Sequence, residues 1–378
     1  MALLECGNVV IVSSVAASPP VGDRPAPAHG FHTVTVRRVV HETADARSFV
    51  LDVPEHLRDG FVYRAGQFVT VRVHLDGSPL LRCYSMSSAP EVDETLAVTV
   101  KRVPGGLVSN WLVDRVRPGD ELEVTFPAGT FQLTESNDPL LAFAAGSGIT
   151  PIMSLVRSAL ATSRRPLRVL YANRDRANTI FADELDLLEA SSAGRLQVVH
   201  HHDTELGFVD AESIAAFLGD STPDAEVYVC GPTPFMDVVE STLLARGVEP
   251  CRVHIERFGP AAPVDATSPA VASDVDAGGG DGAAEMPRTV VVEVDGRTGS
   301  AEHRPGTTVL QTARQLGLDP PYSCESGSCA TCMARLLEGT VTMHVNDALT
   351  DAEVEEGWVL TCQSVPTSPT VHVVYGFD

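Results

Sequence analysis

Four cysteines near the end of the chain have the type and spacing of ligands for an iron–sulfur cluster. Cys324, Cys329 and Cys332 form a C-x4-C-x2-C loop, and Cys362 follows after 29 intervening residues. This is the spacing of plant-type [2Fe–2S] proteins, in which one loop supplies three thiolates and a distant strand supplies the fourth. A zinc site is the alternative, but zinc sites ordinarily use paired C-x2-C or Cys/His spacing. The cysteines therefore predict a [2Fe–2S] cluster and one-electron chemistry.

A second candidate site lies far upstream, where polar residues end a predicted strand. Arg82, Tyr84 and Ser85 offer a guanidinium, an aromatic ring and a hydroxyl, which could serve the phosphate, ring face and N5 edge of a flavin. A salt-bridged strand end is the alternative for this short motif. Residues 105–109 form a glycine-rich turn that opens a helix and could bind a pyrophosphate through free N–H groups. Because both motifs lie on one predicted barrel, each strengthens the other.

A third pattern follows a continuous apolar strand and opens a helix. Residues 146–151 read GSGITP, and a glycine-rich turn between a strand and a helix suits a dinucleotide pyrophosphate. Thr150 suits the N-cap of this helix and Pro151 its first position. Farther along, CGP at 230–232 ends another apolar strand, where α/β sheets bind ligands. A buried core thiol is the alternative for Cys230.

Stretches of different pattern must position these groups. Short β-branched segments with Gly, Pro and Asp turns predict a small antiparallel barrel over residues 31–135. Strands that alternate with helices predict a parallel α/β domain over 136–258. Residues 259–287 contain no Lys or Arg and predict a flexible linker before a third domain over 288–378. Residues 1–30, rich in Ala, Pro, Gly and Ser, predict a disordered leader.

Composition and charge restrict the classes of partner. The chain has 378 residues and a formal net charge of −23, which disfavours nucleic acid and anionic membranes. No apolar run approaches the ~20 residues of a membrane-spanning helix, and no positive charge precedes the apolar stretch 9–17, so we expect no signal peptide. Four of the eight cysteines are scattered, which is unlike a disulfide framework and favours a reducing cytoplasm.

In this order the motifs resemble the ferredoxin–NADP⁺ reductase superfamily, in the class with a flavin barrel, a nucleotide domain and a C-terminal plant-type ferredoxin. Within it the sequence looks most like the reductase components of 3-ketosteroid 9α-hydroxylases, with the phenylacetyl-CoA epoxidase reductases as near relatives. The resemblance covers about residues 32–378 without the linker. It rests on RCYS (82–85), VTVKR (98–102), SNWL (109–112), AAGSGITPIMS (144–154), YANRD (171–175), IF (180–181), CGP (230–232), HIE (254–256), VND (345–347) and CQS (362–364).

The resemblance implies a multidomain fold of α/β and β type. An antiparallel flavin-binding β-barrel, a parallel α/β nucleotide-binding domain and a C-terminal β-grasp [2Fe–2S] ferredoxin domain would follow one another. PAGTF at 127–131 favours FAD over FMN. Ala330 departs from the family pattern, since such clusters often have Gly at this position.

The resemblance also assigns roles to individual residues. Ser85, Cys230, Glu256 and Phe258 would act at the catalytic site where flavin and nicotinamide meet. The four cysteines would hold the metal cluster. The residues assigned to cofactor binding are Arg82, Tyr84, Ser85, Lys101, Gly106, Val108, Ser109, Gly146, Gly148, Thr150, Pro151, Asn173, Arg174, Cys230, Gly231 and Pro232.

The expected function is therefore that of an NADH-dependent reductase component of a multicomponent oxygenase. It would move electrons from NADH through FAD and a [2Fe–2S] cluster to a Rieske-type oxygenase, with 3-ketosteroid 9α-hydroxylase and steroid degradation as the expected system. One alternative is an NADPH-dependent reductase of another oxygenase, such as a phenylacetyl-CoA epoxidase, in which Arg174 could reach the 2′-phosphate. Another is a non-catalytic iron–sulfur carrier. We expect a cytoplasmic monomer.

Overall fold

A computed structural model of the chain describes residues 10–13, 31–75, 78–219, 224–257, 289–294, 296–304, 306–318, 320–322, 325, 327, 330–346 and 348–375. Two compact units result: residues 25–258 form one, and residues 259–378 together with 1–24 form the other. The predicted linker 259–287 and most of the predicted leader lie outside the described residues.

The described strands, in chain order, are β1 (Val10–Ser13), β2 (His32–His41), β3 (Ala46–Asp52), β4 (Phe68–Leu75), β5 (Ser78–Ser85), β6 (Leu96–Lys101), β7 (Glu121–Val124), β8 (Leu140–Ala145), β9 (Leu167–Asn173), β10 (Leu196–His202), β11 (Glu226–Gly231), β12 (Val253–Arg257), β13 (Thr289–Val294), β14 (Arg297–Glu302), β15 (Met333–Glu338), β16 (Thr340–Met343), β17 (Trp358–Leu360), β18 (Ser364–Pro366) and β19 (Thr370–Val374).

The described α-helices are α1 (Leu107–Arg115), α2 (Ile149–Thr162), α3 (Ala182–Ser191), α4 (Asp203–Leu206), α5 (Ala211–Leu218), α6 (Thr233–Ala245), α7 (Val309–Gln315) and α8 (Asp351–Glu355). Within the described ranges, none of them combines the length and apolar character that crossing a membrane requires.

The first domain of the larger unit is an antiparallel barrel. Its six strands are ordered β5-β4-β7-β2-β3-β6, and a bridge between Met86 and Val98 joins the two edges. Side chains alternate between the two faces of each strand, and β-branched residues such as Val36 and Val100 point into the core. Helix α1 buries Val108 and Leu112 in the same core. The predicted antiparallel flavin-type barrel is confirmed.

The second domain is a five-stranded parallel sheet ordered β10-β9-β8-β11-β12. Helices α2 and α3 cover one face, and α5 and α6 cover the other. The strand order reverses between β8 and β11, and the crevice at such a switch point is where open α/β sheets bind ligands. Ala65 and Phe131 of the barrel belong to the same core cluster as Leu155 of α2, so the barrel and the α/β domain are packed together. The predicted parallel α/β domain is confirmed.

The smaller unit has a mixed sheet ordered β14-β13-β19-β15-β17 and a small sheet ordered β1-β16-β18. Helix α7 packs its apolar residues on the mixed sheet, as in a β-grasp domain. Its N-terminus is fixed by a capping box between Thr308 and Gln311. The predicted C-terminal domain of ferredoxin type is confirmed.

One strand lies where the sequence predicts none. Strand β1 pairs antiparallel with β16, with Val10 opposite Met343 and Ser13 opposite Thr340. The prediction of disorder for residues 1–30 is therefore wrong for these four residues. Local composition could not reveal the pairing because its partner is more than three hundred residues away. The predicted domain boundaries stay predictions.

Candidate functional site

Strand β5 ends in the predicted flavin motif. Ser85 is 2 % exposed, and its hydroxyl makes no hydrogen bond with any residue that the structure describes. Tyr84 is half-buried, and desolvation of the phenol raises its pKa. Arg82 is exposed, and its guanidinium donates a hydrogen bond to the Leu81 carbonyl. A buried hydroxyl without a partner is costly, so Ser85 fits a site that a polar ligand completes.

The glycine-rich turn before α1 stands beside this strand, since α1 contacts both β5 and β6. Gly106 is the N-cap of α1, and no side chain caps the helix. A Cβ atom at Gly106 would lie 2.7 Å from the Ser109 hydroxyl, which itself accepts a hydrogen bond from the Val103 N–H at 3.2 Å. The turn is thus held closed while the helix N-terminus stays available to a pyrophosphate.

The nucleotide motif forms a 3-10 turn, Gly146–Gly148, that leads directly into α2. Gly148 is the N-cap, and Thr150 lies inside the helix, where its hydroxyl donates to the Ser147 carbonyl at 3.1 Å. The predictions of Thr150 as N-cap and Pro151 as first helical residue are therefore wrong. Gly146 adopts φ +54°, which lets the chain enter the helix earlier than propensity suggests. No side chain caps α2; the Ile149 N–H donates to the Gly146 and Ser147 carbonyls, so a pyrophosphate would bind at the glycine turn that precedes the helix.

The nucleotide turn lies against the end of β11, across the switch point. A Cβ atom at Gly148 would stand 2.0 Å from the Cys230 carbonyl oxygen, so only glycine fits here. Cys230 is fully buried, in agreement with the core-thiol alternative. Burial, and secondarily the Glu256 carboxylate on β12, raise the pKa of this thiol well above its ordinary value. Cys230 is therefore uncharged at neutral pH, and the neighbouring Gly231 is equally buried.

At the carboxyl ends of β9 and β10, several polar atoms have no hydrogen-bond partner among the described residues. Asn173 ends β9 at 5 % exposure, and neither atom of its amide is hydrogen-bonded to a described residue. Arg174 follows and is exposed. His202 lies opposite Asn173 in the register of β10, and its Nε2 also lacks a partner within the described ranges. Sequence reasoning missed His202, although its place at the end of an apolar strand was a signal. The three residues fit a polar sugar better than an apolar ligand.

The flavin side and the nucleotide side meet at Lys101. Its ammonium, at the end of β6, would lie 3.8 Å from a Cβ atom at Gly146. Pro232 immediately precedes α6. Of the other predicted catalytic residues, Glu256 lies on β12 and Phe258 lies outside the described residues. The structure therefore brings the barrel motif, the glycine turn and Cys230 to one region.

Two of the four predicted cluster ligands lie among the described residues. Cys332 and Cys362 are buried, and Thr361 joins their segments by donating to the Cys332 carbonyl through its N–H (3.2 Å) and its hydroxyl (2.9 Å). The Gln363 amide donates to the Glu325 carbonyl at 2.8 Å, which ties the loop to the second segment. Cys324 and Cys329 lie outside the described residues. Two buried cysteines on segments that are hydrogen-bonded to each other fit an iron–sulfur cluster.

The cluster loop contains backbone of unusual conformation. Glu325, Gly327 and Ala330 have φ values of +51°, +86° and +53°. Such angles are left-handed and favour glycine. They turn the loop tightly, and the strain at Ala330 gives a physical reason for the glycine that related clusters often have there.

Three family descriptions match the chain. They are "Oxidoreductase FAD-binding domain" at residues 33–133, "Oxidoreductase NAD-binding domain" at 143–241 and "2Fe-2S iron-sulfur cluster binding domain" at 292–367. These matches confirm the predicted cofactors FAD, NAD(H) and [2Fe–2S]. The geometry agrees, since Ser85, the α2 N-terminus and the buried cysteines lie within the three matched ranges.

The chain matches several named proteins over nearly their whole length. The chain is 40% identical over 352 residues to a "3-ketosteroid-9-alpha-monooxygenase, ferredoxin reductase component" of Rhodococcus rhodochrous, covering 92% of this chain and 98% of that one. It is 34% identical to a "Glycine betaine monooxygenase reductase subunit" of Pseudomonas aeruginosa, covering 91% and 95%. The solved structure of phthalate dioxygenase reductase matches with a TM-score of 0.56 at 26% identity, covering 92% and 98%. The predicted resemblance is thereby confirmed.

Proposed function

This chain belongs to the family of oxygenase reductase components that combine FAD-binding, NAD-binding and 2Fe-2S domains, and from that membership we propose that its electron acceptor is a Rieske-type oxygenase that hydroxylates a 3-ketosteroid. Electrons enter from NADH and leave through the cluster. The chain matches nearly the whole length of the Rhodococcus relative, and the name of that relative supports the steroid assignment. The phthalate dioxygenase reductase match supports an oxygenase as the partner.

One structural observation supports the internal relay more than any other. Lys101 of the barrel reaches the glycine turn of the nucleotide domain, so the groups that would hold FAD and NADH face one region. A non-catalytic iron–sulfur carrier would need neither group. The relay is therefore a better explanation of this chain than a passive carrier.

The residues have distinct tasks in the proposed reaction. When bound, FAD takes up two electrons as a hydride and releases them singly, which suits a one-electron cluster. Ser85 would supply a hydrogen bond at the flavin edge, and the α1 and α2 N-termini would bind the two pyrophosphates. The neutral Cys230 thiol and the Gly148 backbone would shape the nicotinamide site without adding charge. Asn173 and His202 would bind the adenosine ribose.

We propose NADH rather than NADPH as the donor, on the strength of the resemblance. Arg174 is exposed and could pair with a 2′-phosphate, so the choice needs a direct test. The ratio of kcat/KM for NADH over NADPH measures it, and a ratio below one would contradict the proposal. In that case Arg174→Ala should shift the ratio towards NADH.

Reconstitution tests the proposed partner. The full-length holoprotein is mixed with the oxygenase component of a 3-ketosteroid 9α-hydroxylase, NADH and a 3-ketosteroid, and hydroxylated product is measured. The proposal expects NADH-dependent product that disappears when this chain is omitted. Reduction of an aromatic-ring or betaine oxygenase in preference to the steroid enzyme would contradict the steroid assignment. We also propose a cytoplasmic monomer, which light scattering and cell fractionation test.

A further inference from the structure

The loop that follows the flavin strand is bonded to the nucleotide helix. Ser154 of α2 donates its hydroxyl to the Ser88 carbonyl at 2.6 Å, and both side chains are buried. One turn later, Arg157 pairs with Asp93 at 2.8 Å. The second carboxylate oxygen of Asp93 accepts the Ala89 N–H at 2.8 Å. Two polar links therefore connect residues 86–93 of the barrel to one face of α2.

The same loop is anchored on its barrel side. The Ser88 hydroxyl is hydrogen-bonded to the Tyr63 phenol at 2.7 Å and accepts the Ala97 N–H at 2.9 Å. An apolar contact between the domains lies nearby in sequence, since Ala65 of the barrel and Leu155 of α2 belong to one core cluster. Displacing Ser88 would therefore break contacts in both domains. The loop 86–93 is therefore bonded to both domains.

Both residues of the Ser154–Ser88 link lie close in sequence to groups that would bind the two cofactors. Ser88 is three residues after Ser85, which would contact the flavin, and Ser154 is about one turn after Thr150, at the start of the helix that would bind the nucleotide. Hydride transfer between two bound cofactors needs reacting atoms about 3–3.5 Å apart. The relative position of Ser85 and the α2 N-terminus must set that distance.

We propose that Ser154 and Arg157 are positioning residues for hydride transfer, holding the nucleotide turn at a fixed distance from the flavin strand. This inference rests on the proposed function. Neither residue belongs to the sets assigned to cofactor binding. The two links differ in kind, because Ser154 makes a buried neutral bond while Arg157 makes a partly exposed ion pair. Removing them one at a time therefore distinguishes the effect of losing a neutral hydrogen bond between the domains from the effect of losing a charge pair between them.

The test uses full-length holoprotein with Ser154→Ala, Arg157→Gln and the double substitution. Anaerobic stopped-flow measurement of flavin absorbance against NADH concentration gives the limiting reduction rate and the Kd. We expect the limiting rate to fall about 10-fold for each single variant and about 100-fold for the double, because small misplacements are costly in rate. The Kd should stay within about twofold, because the binding groups are untouched.

A second readout does not depend on turnover. Amide hydrogen exchange of residues 86–93 should accelerate in the variants, and the spectral change of the oxidised flavin on NAD⁺ binding should diminish. Thr162→Ala is the matched control, since it also removes a hydroxyl from α2, but one that is exposed and donates to the Ser158 carbonyl within the same helix at 2.8 Å. Its limiting rate should equal that of the wild type. If Ser154→Ala loses FAD, Asp93→Asn tests the connection between the domains from the barrel side, by removing the charge that pairs with Arg157.

The outcomes separate this inference from the proposed function. Faster exchange in 86–93 with an unchanged limiting rate would overturn the positioning role and leave a structural one. A parallel rise in Kd and fall in rate would also overturn it, since that pattern indicates lost binding. If NADH does not reduce the wild-type flavin at all, the proposed function itself fails.

Discussion

Replacing Gly148 with alanine adds a single atom, the Cβ, at the switch point between β8 and β11. The new Cβ would stand 2.0 Å from the Cys230 carbonyl oxygen and 2.4 Å from its carbon, whereas ordinary contacts begin at 3.4 Å. The Cβ is held rigidly by the backbone and the atoms that it meets are backbone, so no rotamer change relieves the clash, and α2 must move from β11 by about 1.4 Å. A shift of this size costs about 100-fold in a positioned reaction, which corresponds to about 2.7 kcal/mol of barrier.

The assay is anaerobic reduction of the flavin by NADH, with FAD and iron content measured on the same samples. We expect a limiting rate about 100-fold lower and a clearly raised Kd, with both cofactors retained. Gly194→Ala is the control for replacing a glycine without a clash, because its Cβ would meet nothing within 4 Å, although its backbone is left-handed (φ +80°) and that of Gly148 is not (φ −61°). Wild-type rate and Kd in Gly148→Ala would refute the close approach on which the site is built.

Three further predictions follow from the same contacts. Cys362→Ser should abolish the cluster absorbance and partner reduction while FAD stays bound and reducible, and unchanged iron content would contradict the ligand assignment. Ala330→Gly should raise the thermal midpoint of the ferredoxin domain, because its φ of +53° costs alanine about 1 kcal/mol; a lower midpoint would refute the strain. Iodoacetamide at pH about 8 should modify the exposed Cys251 and spare Cys230, whose pKa is raised by burial so that the thiol stays protonated there. Equal labelling by mass spectrometry would show that Cys230 is accessible.

Local patterns in the sequence predicted most of the architecture. The spacing from Cys324 to Cys362 reports a geometric demand of the cluster, so it is visible without a structure. The alternation of strands and helices after residue 136 likewise indicates a parallel sheet, because each crossover needs a helix. The β-branched segments indicated a barrel, although its closure between Met86 and Val98 could not be read from them.

Contacts between distant residues left no such signal. Ser154 and Ser88 are 66 positions apart, and neither belongs to a periodic pattern that would pair them. Residue preferences also failed to locate the N-cap at Gly148, because threonine and glycine are about equally preferred at that position. Here a left-handed Gly146 starts a 3-10 turn that runs directly into α2, so the helix begins before Thr150. The departures from local rules thus concentrate at the candidate site.

The relay from NADH through FAD to the cluster is tested most directly by anaerobic titration of the holoprotein with NADH, followed by flavin absorbance and by electron paramagnetic resonance of the cluster. We predict that NADH bleaches the flavin and that the reduced [2Fe–2S] signal then appears in the same molecule without any added mediator. Flavin that bleaches while the cluster stays oxidised would contradict it.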